Sequence, residues 1–291
     1  MSGVLVSGYT SIDVRLITDA LPAPGETAIL EGELVPTSRW GGCAPNVARW
    51  LRRLDVPTSL VAWLGDDEEG RGYRELLELA EVDLQLLETG AAPSPRSWLV
   101  SDRDGTSVCF FNPSGADEQR FVDDPARRAA TDWIALTVGP AGLTRSLIAA
   151  FADDLRSHRV RIAWDVKADR RAFPQDLVLR LASADLVCLN DAEAAFIGEG
   201  LGLGRPAEAE DLLARGASVV AVTRGRAGAL VAWPTGTEDV AADHVSSHEP
   251  TGAGDAFFAG MLAALRAGAE PRLACRRGLD TAARHLMGVT P

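Results

Sequence analysis

Short apolar runs alternate with amphipathic stretches along most of this 291-residue chain. Apolar runs of roughly four to eight residues, bounded by turn residues, are typical of strands that are buried on both faces of a sheet. Such runs lie at 3–8, 60–64, 133–138, 160–166, 185–189 and 219–223. Helical spacing of apolar residues occupies 45–54, 66–80, 145–155, 175–182 and a stretch from 191, and Asp66 is expected to cap the second of these helices. The pattern predicts an α/β fold with a parallel sheet covered by helices.

Two segments interrupt this alternation. Residues 28–37 alternate imperfectly between apolar and polar and have no helical partner. Residues 97–111 consist of two β-like runs around an Asp-Arg-Asp-Gly turn, which indicates a hairpin. We expect the segments at about 13–39 and 96–111 to pair into a small β lid, inserted in a single domain of residues 1–291. A lid of this kind excludes water from a reacting group.

Composition narrows the classes of partner. Hydrophobic residues make up 46% and charged residues 24%, as in soluble globular proteins, and the formal net charge is −12. An acidic surface disfavours a nucleic-acid partner. No apolar run approaches the ~18 residues of a membrane span, and the four cysteines form no CxxC pair. We therefore expect a cytoplasmic protein with reduced thiols, without a membrane or nucleic-acid partner.

The most informative motif is Glu-Pro-Thr-Gly-Ala-Gly-Asp at residues 249–255, directly before an apolar, helix-like run. The amides of Gly252, Ala253 and Gly254 would lie at a helix N-terminus, where free N–H groups and the helix dipole attract anions. Asp255 beside such a site would repel a phosphate, but it is suited to accept a proton from an attacking hydroxyl. The alternative is a Gly-rich turn with an ordinary first-turn carboxylate.

A second glycine motif begins at Gly41 and Gly42 and runs into the helix predicted over 45–54. Paired glycines let a ligand approach the backbone closely. Asn46 offers a donor and an acceptor near the helix start, which suits a polyhydroxyl ligand. The alternative is that Asn46 bonds only to its own backbone.

Together the two motifs resemble the signatures of the ribokinase-like sugar kinases, the phosphofructokinase-B family. The first signature is matched by Gly41-Gly42 with Asn46, and the second by Thr251 to Asp255. Other landmarks of the family follow in the expected order: Gly8 with Asp13, Gly65-Asp66-Asp67 with Gly70, Asp165-Val166-Lys167 with Arg170, Asn190 to Glu193, and Thr223 to Gly228. The resemblance extends from Val4 to about Met287.

The resemblance implies a ribokinase-like three-layer α/β/α domain with a mostly parallel central sheet and a small β lid. It implies transfer of the γ-phosphoryl group of ATP to a hydroxyl of a sugar or sugar derivative. Asp255 would then be the base, and the amides of residues 252–254 would form the anion hole. The resemblance assigns substrate contacts to Asp13, Gly41, Gly42, Asn46 and Lys167, with Arg170 as an alternative to Lys167 for neutralising phosphate charge. It assigns the nucleotide side to Asn190, Glu193, Thr223, Gly225 and Gly228, with Glu193 holding Mg²⁺ through water.

Some positions depart from the family pattern. Lys167 stands where Asn is commoner, and Glu249-Pro250 replaces Asp-Thr before the second signature. Proline fixes φ and lacks an N–H, which puts the family's monovalent-cation site in doubt and predicts at most weak stimulation by K⁺. A homodimer through the lid is a further expectation from the family.

Other functions remain to be weighed against a sugar kinase. A nucleoside kinase of the same family and a catalytically silent sugar-binding relative are the alternatives. A dinucleotide-binding oxidoreductase is rejected, because Gly8 to Asp13 is not a Gly-x-Gly-x-x-Gly motif.

Overall fold

The structure is a computed structural model, and it describes residues 2–31, 39–103, 106–245 and 251–289. In chain order its strands are β1 (Gly3–Ser7), β2 (Ser11–Thr18), β3 (Leu30–Glu31), β4 (Arg39–Gly41), β5 (Thr58–Gly65), β6 (Leu87–Gly90), β7 (Arg96–Ser101), β8 (Ser107–Asn112), β9 (Thr131–Leu136), β10 (Arg161–Asp165), β11 (Leu186–Asn190), β12 (Val219–Thr223), β13 (Ala229–Trp233) and β14 (Gly236–Val240).

The α-helices are α1 (Cys43–Arg53), α2 (Glu68–Leu79), α3 (Pro125–Ala129), α4 (Ala141–Ala150), α5 (Ala152–Arg156), α6 (Gln175–Leu181), α7 (Asp191–Gly200), α8 (Ala209–Leu213), α9 (Ala253–Arg266) and α10 (Pro271–Leu286). Short 3₁₀ helices occupy Ser114–Glu118 and Gly225–Ala227. Within the described residues, none of the helices has the length and apolar character needed to cross a bilayer.

The large sheet has nine strands in the order β14-β13-β12-β11-β10-β9-β1-β5-β6. From β12 to β6 every neighbouring pair is parallel, and β13 and β14 add an antiparallel edge. The predicted mostly parallel sheet is therefore confirmed. The sequence did not predict the two antiparallel strands, although it placed the last parallel strand at Val219–Thr223.

Helices cover both faces of the large sheet, and strand periodicity explains how. Successive side chains of a strand point to opposite faces. Val4 and Val6 therefore pack into one core cluster, with Trp50 of α1 and Phe258 of α9. Leu5 packs into the other cluster, which contains residues of α4, α6, α7 and α8. Strands that face an apolar layer on each side, such as β1, β9 and β11, require a continuous apolar run, whereas the edge strands β6 and β14 are more polar.

A second sheet of five strands has the order β3-β2-β7-β8, with β4 paired to β2. Its strands lie within residues 11–41 and 96–112, close to the segments 13–39 and 96–111 that the sequence predicted to pair. The predicted hairpin is confirmed, since β7 and β8 pair antiparallel with Trp98 opposite Phe110. Most of the predicted strand at 28–37 lies outside the described residues, which omit 32–38, and so does part of the hairpin turn at 104–105.

Two helix starts differ from the sequence prediction. Asp67, not Asp66, caps α2, because Asp67 has an extended backbone and its carboxylate accepts from the Gly70 amide at 2.7 Å. The Asp67 carboxylate also accepts from the Ser94 amide at 2.7 Å, which ties α2 to the segment before β7. The helix expected from residue 145 begins at Ala141, directly after Pro140, and a second helix begins at Ala152.

Candidate active site

The two glycine motifs meet at the carboxyl ends of the parallel strands. Nδ2 of Asn46 donates a hydrogen bond to Oδ2 of Asp255 at 2.9 Å, across 209 residues of chain. Asn46 lies at the start of α1 and Asp255 in the first turn of α9. Asp255 is only 5% exposed. Asn46 therefore does more than bond to its own backbone: it holds a buried carboxylate of the other motif.

Gly252 determines how α9 begins. It is the N-cap residue in a left-handed conformation, with φ +88°, a region in which residues with a side chain are strained. The first amides of an α-helix have no intrahelical partner, and Gly252 has no side chain that could accept from those of α9. Nε2–H of His285 donates to the carbonyl oxygen of Thr251 at 2.8 Å and anchors the turn that enters the helix. The result is a row of amides beside the Asp255 carboxylate, as the sequence predicted for residues 252–254.

The Gly41-Gly42 pair lies against the second sheet. A Cβ at Gly41 would lie 2.0 Å from Oδ2 of Asp13, so any side chain at this position would displace that carboxylate. Gly42 has φ +97° and passes so close to Tyr9 that a Cβ would lie 2.5 Å from the Tyr9 carbonyl oxygen. Tyr73 fixes the turn by donating its Oη–H to the Gly41 carbonyl oxygen at 2.6 Å. The glycines thus bring Asp13 to the same site as Asn46.

A buried charge cluster lies beside these motifs. Nζ of Lys167 is 3.2 Å from Oδ2 of Asp165 and 3.9 Å from Oε1 of Glu193. Burial raises the pKa of the Asp165 and Glu193 carboxyl groups, although the nearby Lys167 ammonium acts to lower it. Burial by itself would lower the pKa of Lys167. The surrounding carboxylates, Asp165 first, outweigh burial and hold the pKa of Lys167 above its ordinary value. Lys167 therefore remains charged within the cluster.

Arg170, the alternative cation, is not part of this cluster. Its guanidinium pairs with Glu199, and its side chain is 74% exposed. Lys167 is instead about 29% exposed and faces the site. Of the two basic residues that the sequence left open, the structure places Lys167 among the candidate site residues.

Asn190 and Glu193 form a reciprocal cap at the start of α7. Oδ1 of Asn190 accepts from the Glu193 amide at 3.0 Å, and Oε2 of Glu193 accepts from the Asn190 amide at 2.8 Å. This capping box is a local structural reason for the Asn-x-x-Glu spacing. Oε1 of Glu193 is not used in the cap and faces Lys167 at 3.9 Å.

A cavity of about 320 Å³ lies between the β12–β13 turn and the helices α9 and α10. Thr223, Gly225 and Gly228 line one side, and Ala253 and Gly254 of the predicted anion hole line the other. Further lining comes from apolar side chains: Phe257, Leu279, Ala282, Ala283 and Leu286. Thr223 is also the register partner of Asn190 on the neighbouring strand. Thr223, Gly225 and Gly228 therefore line one cavity that borders the start of α9, whereas Asn190 and Glu193 are not among its lining residues.

Sequence reasoning named Asp165 only as part of a family landmark, without a role in the site, and it did not select Cys43, Tyr73 or His285. Sγ of Cys43 and carboxylate oxygens of Asp165 and Asp255 all lie within 4.8 Å of one another. Asp165 had a usable signal, because it ends a parallel strand, where ligand sites of such sheets are found. Tyr73 and His285 had none, because each acts through a backbone carbonyl far away in sequence. Glu249 and Pro250, on which the K⁺ prediction depends, lie outside the described residues.

Comparison with known proteins agrees with this geometry. The family described as pfkB family carbohydrate kinase matches residues 1–285. The chain is 32% identical to an ATP-dependent ribose-1-phosphate kinase of Halopiger xanaduensis, over 90% of this chain and 84% of that protein. It is 28% identical to a nucleoside kinase of Methanothermobacter thermautotrophicus, over 92% and 84% respectively. The fold is similar to that of a ribokinase from Thermotoga maritima, with a TM-score of 0.82, 20% identity and coverage of 100% and 96%. The chain belongs to the pfkB family of carbohydrate kinases.

Proposed function

We propose that this protein transfers the γ-phosphoryl group of ATP to a hydroxyl of a sugar or sugar derivative, with Asp255 as the general base. The observation that carries the proposal is the hydrogen bond between Asn46 and Asp255. It joins the motif suited to hydroxyl groups with the motif suited to anions. A kinase needs these two groups side by side, because the attacking hydroxyl and the transferred phosphoryl must meet in line.

Asp255 has the environment that a base requires. It is buried beside the amides of α9, and the Asn46 amide holds its carboxylate in one orientation. A hydroxyl placed between Asp255 and the Asp13 side of the site loses its proton to Asp255 as it attacks phosphorus. Asp13 and Asn46 would then fix the other hydroxyl groups of the acceptor.

The start of α9 would stabilise charge on the transferred group. The amides of Gly252, Ala253 and Gly254 are preorganised by the tight turn, so they need no rearrangement as charge develops. Lys167 adds a full positive charge near this point, within a cluster that is otherwise acidic. Its ammonium would neutralise phosphoryl charge during transfer.

The nucleotide would occupy the cavity at Thr223, Gly225 and Gly228, with its phosphates toward Ala253 and Gly254. The apolar lining from α9 and α10 fits a purine ring. Oε1 of Glu193 is a carboxylate oxygen outside the α7 cap, and such oxygens suit Mg²⁺ held through water. When bound, Mg²⁺ would neutralise charge on the phosphates.

A nucleoside is the second candidate acceptor, and the observation that favours it is the pair of aromatic rings of Tyr9 and Phe111. Asp13, Ser97 and Phe111 are consecutive register partners, so their side chains share one face of the second sheet. The rings of Phe111 and Tyr9 lie 4.9 Å apart on this face, and Phe111 is partly exposed. Such a ring suits stacking on a nucleobase or on the apolar face of a sugar. Trp98 and Phe110 are each one residue away from Ser97 and Phe111 along their strands, so their side chains lie on the opposite face of the second sheet.

An ATP-consumption screen tests the proposal. Purified protein with Mg²⁺ and ATP is assayed against sugars, sugar phosphates, sugar acids and nucleosides, with Asp255→Asn as the control for background hydrolysis. We expect turnover with at least one sugar class that Asp255→Asn abolishes. Turnover only with nucleosides would select the second candidate. Calorimetric binding of a sugar without any ATP turnover would identify a silent sugar-binding relative.

A further inference from the structure

Three potential metal ligands converge from distant parts of the chain. Sγ of Cys43, an oxygen of Asp165 and an oxygen of Asp255 all lie within 4.8 Å of one another. Cys43 is the first residue of α1, Asp165 is the last residue of β10, and Asp255 is in the first turn of α9. Ligand atoms around a tetrahedral zinc ion are separated by roughly 3.5 Å, given metal–ligand distances near 2.0–2.3 Å. Small side-chain rotations would bring the three atoms to that separation.

Asp165 supplies an independent indication of a ligand. It is 4% exposed, and its Oδ2 has no hydrogen-bond partner in the part of the chain that the structure describes. The neighbouring charge is the Lys167 ammonium, with its Nζ at 3.2 Å. Buried carboxylate oxygens are nearly always hydrogen-bonded or coordinated, because leaving one unsatisfied costs free energy. The Lys167 ammonium offsets part of this cost, and a metal ion between Asp165 and Cys43 would coordinate the carboxylate directly.

The donor set selects the kind of cation. A thiolate with two carboxylates suits a borderline or soft divalent ion such as Zn²⁺ or Cd²⁺, whereas Mg²⁺ prefers oxygen ligands and retains its water. The three anionic ligands carry one charge more than a divalent ion, and the Lys167 ammonium, which also lies near Glu193, offsets part of the negative charge of the cluster. Pairing buried charges in this way reduces the cost of desolvating them. Glu193 is not one of these three ligands, so this site differs from the one proposed for Mg²⁺.

We propose that Cys43, Asp165 and Asp255 bind a thiophilic divalent cation, Zn²⁺ or Cd²⁺, and that this cation inhibits the enzyme by occupying the carboxylate of its base. On binding, the Cys43 S–H bond breaks, its proton passes to water, and the sulfur forms a bond to the metal without any change of oxidation state. The metal then holds the oxygen that would accept the proton of the acceptor hydroxyl. Binding stands on the ligand geometry, and inhibition rests also on the proposed function.

Cadmium titration tests the site without any enzymatic activity. The full-length protein, reduced with a phosphine so that no added thiol competes, is titrated with Cd²⁺ while the ultraviolet cadmium–thiolate band is recorded. We expect a saturable band with one equivalent in the wild type. Cys43→Ser should lose this band, because it lacks the thiolate that produces it. Cys109→Ser is the matched control, because Cys109 is the exposed thiol on β8.

A second variant tests the carboxylate. Asp165→Asn keeps the thiol and the Asp255 carboxylate, so the cadmium–thiolate band should persist with at least ~10-fold weaker affinity. Zn²⁺ should inhibit the wild-type kinase in the presence of excess Mg²⁺, a chelator should restore activity, and Cys43→Ser should need at least ~10-fold more Zn²⁺ for the same inhibition.

Several results would overturn the proposal. Absence of the band in the wild type, a band that follows Cys109 rather than Cys43, or unchanged Cd²⁺ affinity in Asp165→Asn would each exclude the three-ligand site. Equal Zn²⁺ inhibition of the wild type and Cys43→Ser would exclude its inhibitory role. If no acceptor is phosphorylated but the band depends on Cys43 and Asp165, the metal site stands and the proposed function fails.

Discussion

Two helices start at the edge of the large sheet where the candidate site lies, and their first turns differ. At α7, the side chains of Asn190 and Glu193 accept hydrogen bonds from each other's amides. At α9, the N-cap residue is Gly252, which has no side chain, and the backbone turns through a left-handed conformation. The α7 start follows the buried strand β11, and the α9 start leads into an apolar helix. Both were selected from the sequence as site motifs.

The difference shows how a helix start used for structure can be distinguished from one available to a ligand. The α7 cap provides acceptors for amides that helix formation leaves free. Local hydrogen bonding between Asn190 and Glu193 therefore explains part of the Asn-x-x-Glu motif. The α9 turn satisfies none of its own first amides through side chains, and its buried carboxylate is held from outside by Asn46. Because glycine adopts this left-handed backbone without strain, the turn leaves the first amides of α9 uncapped at little cost, and free amides at a helix start suit an anion.

The largest effect is expected at the α9 start from Asp255→Asn. The substitution preserves shape and removes the basic carboxylate, so kcat should fall by about 10²–10⁴-fold, the scale of general-base catalysis. The affinities for ATP and for the acceptor should change little. Steady-state kinetics with the acceptor found in the screen measures kcat. A loss of less than ~10-fold would remove Asp255 from the role of base.

Gly252→Ala tests the backbone of the same turn. The added Cβ would lie 3.0 Å from Nε2 of His285 in a left-handed residue, which shifts the amides of α9. We expect kcat/KM to fall by about 10- to 100-fold, because displacing preorganised donors by a fraction of an ångström is costly.

Gly268→Ala is the matched control for backbone strain. Gly268 follows α9 with φ +86°, and a Cβ there would meet nothing within 4 Å. Both variants should lose about 1–2 kcal/mol of unfolding free energy in urea, the cost of a left-handed residue with a side chain. Only Gly252→Ala should lose activity, and equal kinetic losses in the two variants would contradict a special role for the turn.

Asn190→Ala tests the other helix start, because it removes the side chain that caps α7. The free energy of unfolding should fall by about 1 kcal/mol, within the usual range for an N-cap residue. Asn190→Asp keeps an acceptor oxygen for the Glu193 amide, and it should restore most of that stability. Urea denaturation compares the two variants. If Asn190→Ala were as stable as the wild type, the reciprocal cap would not stabilise α7 as its geometry indicates.

The smallest effect is expected from K⁺. Pro250 precedes the α9 turn with a restricted φ and no N–H, and Glu249 is one methylene longer than the aspartate usual in the family. Replacing tetramethylammonium by K⁺ at constant ionic strength should raise kcat/KM by less than ~10-fold, equivalent to about 1.4 kcal/mol. A larger rise would mean that this segment, which lies outside the described residues, preserves a cation site.

Much of the fold was readable from the sequence. Val4, Leu5 and Val6 form an unbroken apolar run because the strand faces an apolar layer on each side. That run, repeated along the chain, predicts a covered parallel sheet. The hairpin of β7 and β8 was predicted from its turn and its β-branched and aromatic residues. These features are local, so a short window of sequence contains their cause.

Other features are determined only by the tertiary structure. The contact of Asn46 with Asp255 depends on the packing of α1 against α9. The position of Lys167 near Asp165 and Glu193 depends on the order of β10 and β11 in the sheet, and the approach of Cys43 to both aspartates depends on both. Side-chain periodicity specifies which face of a strand is buried, but it does not specify which strands become neighbours. The sequence by itself therefore determined the layers and the two glycine motifs. The strand order and the packing of α1 against α9 decided which side chains meet, because both depend on contacts between segments far apart in the chain.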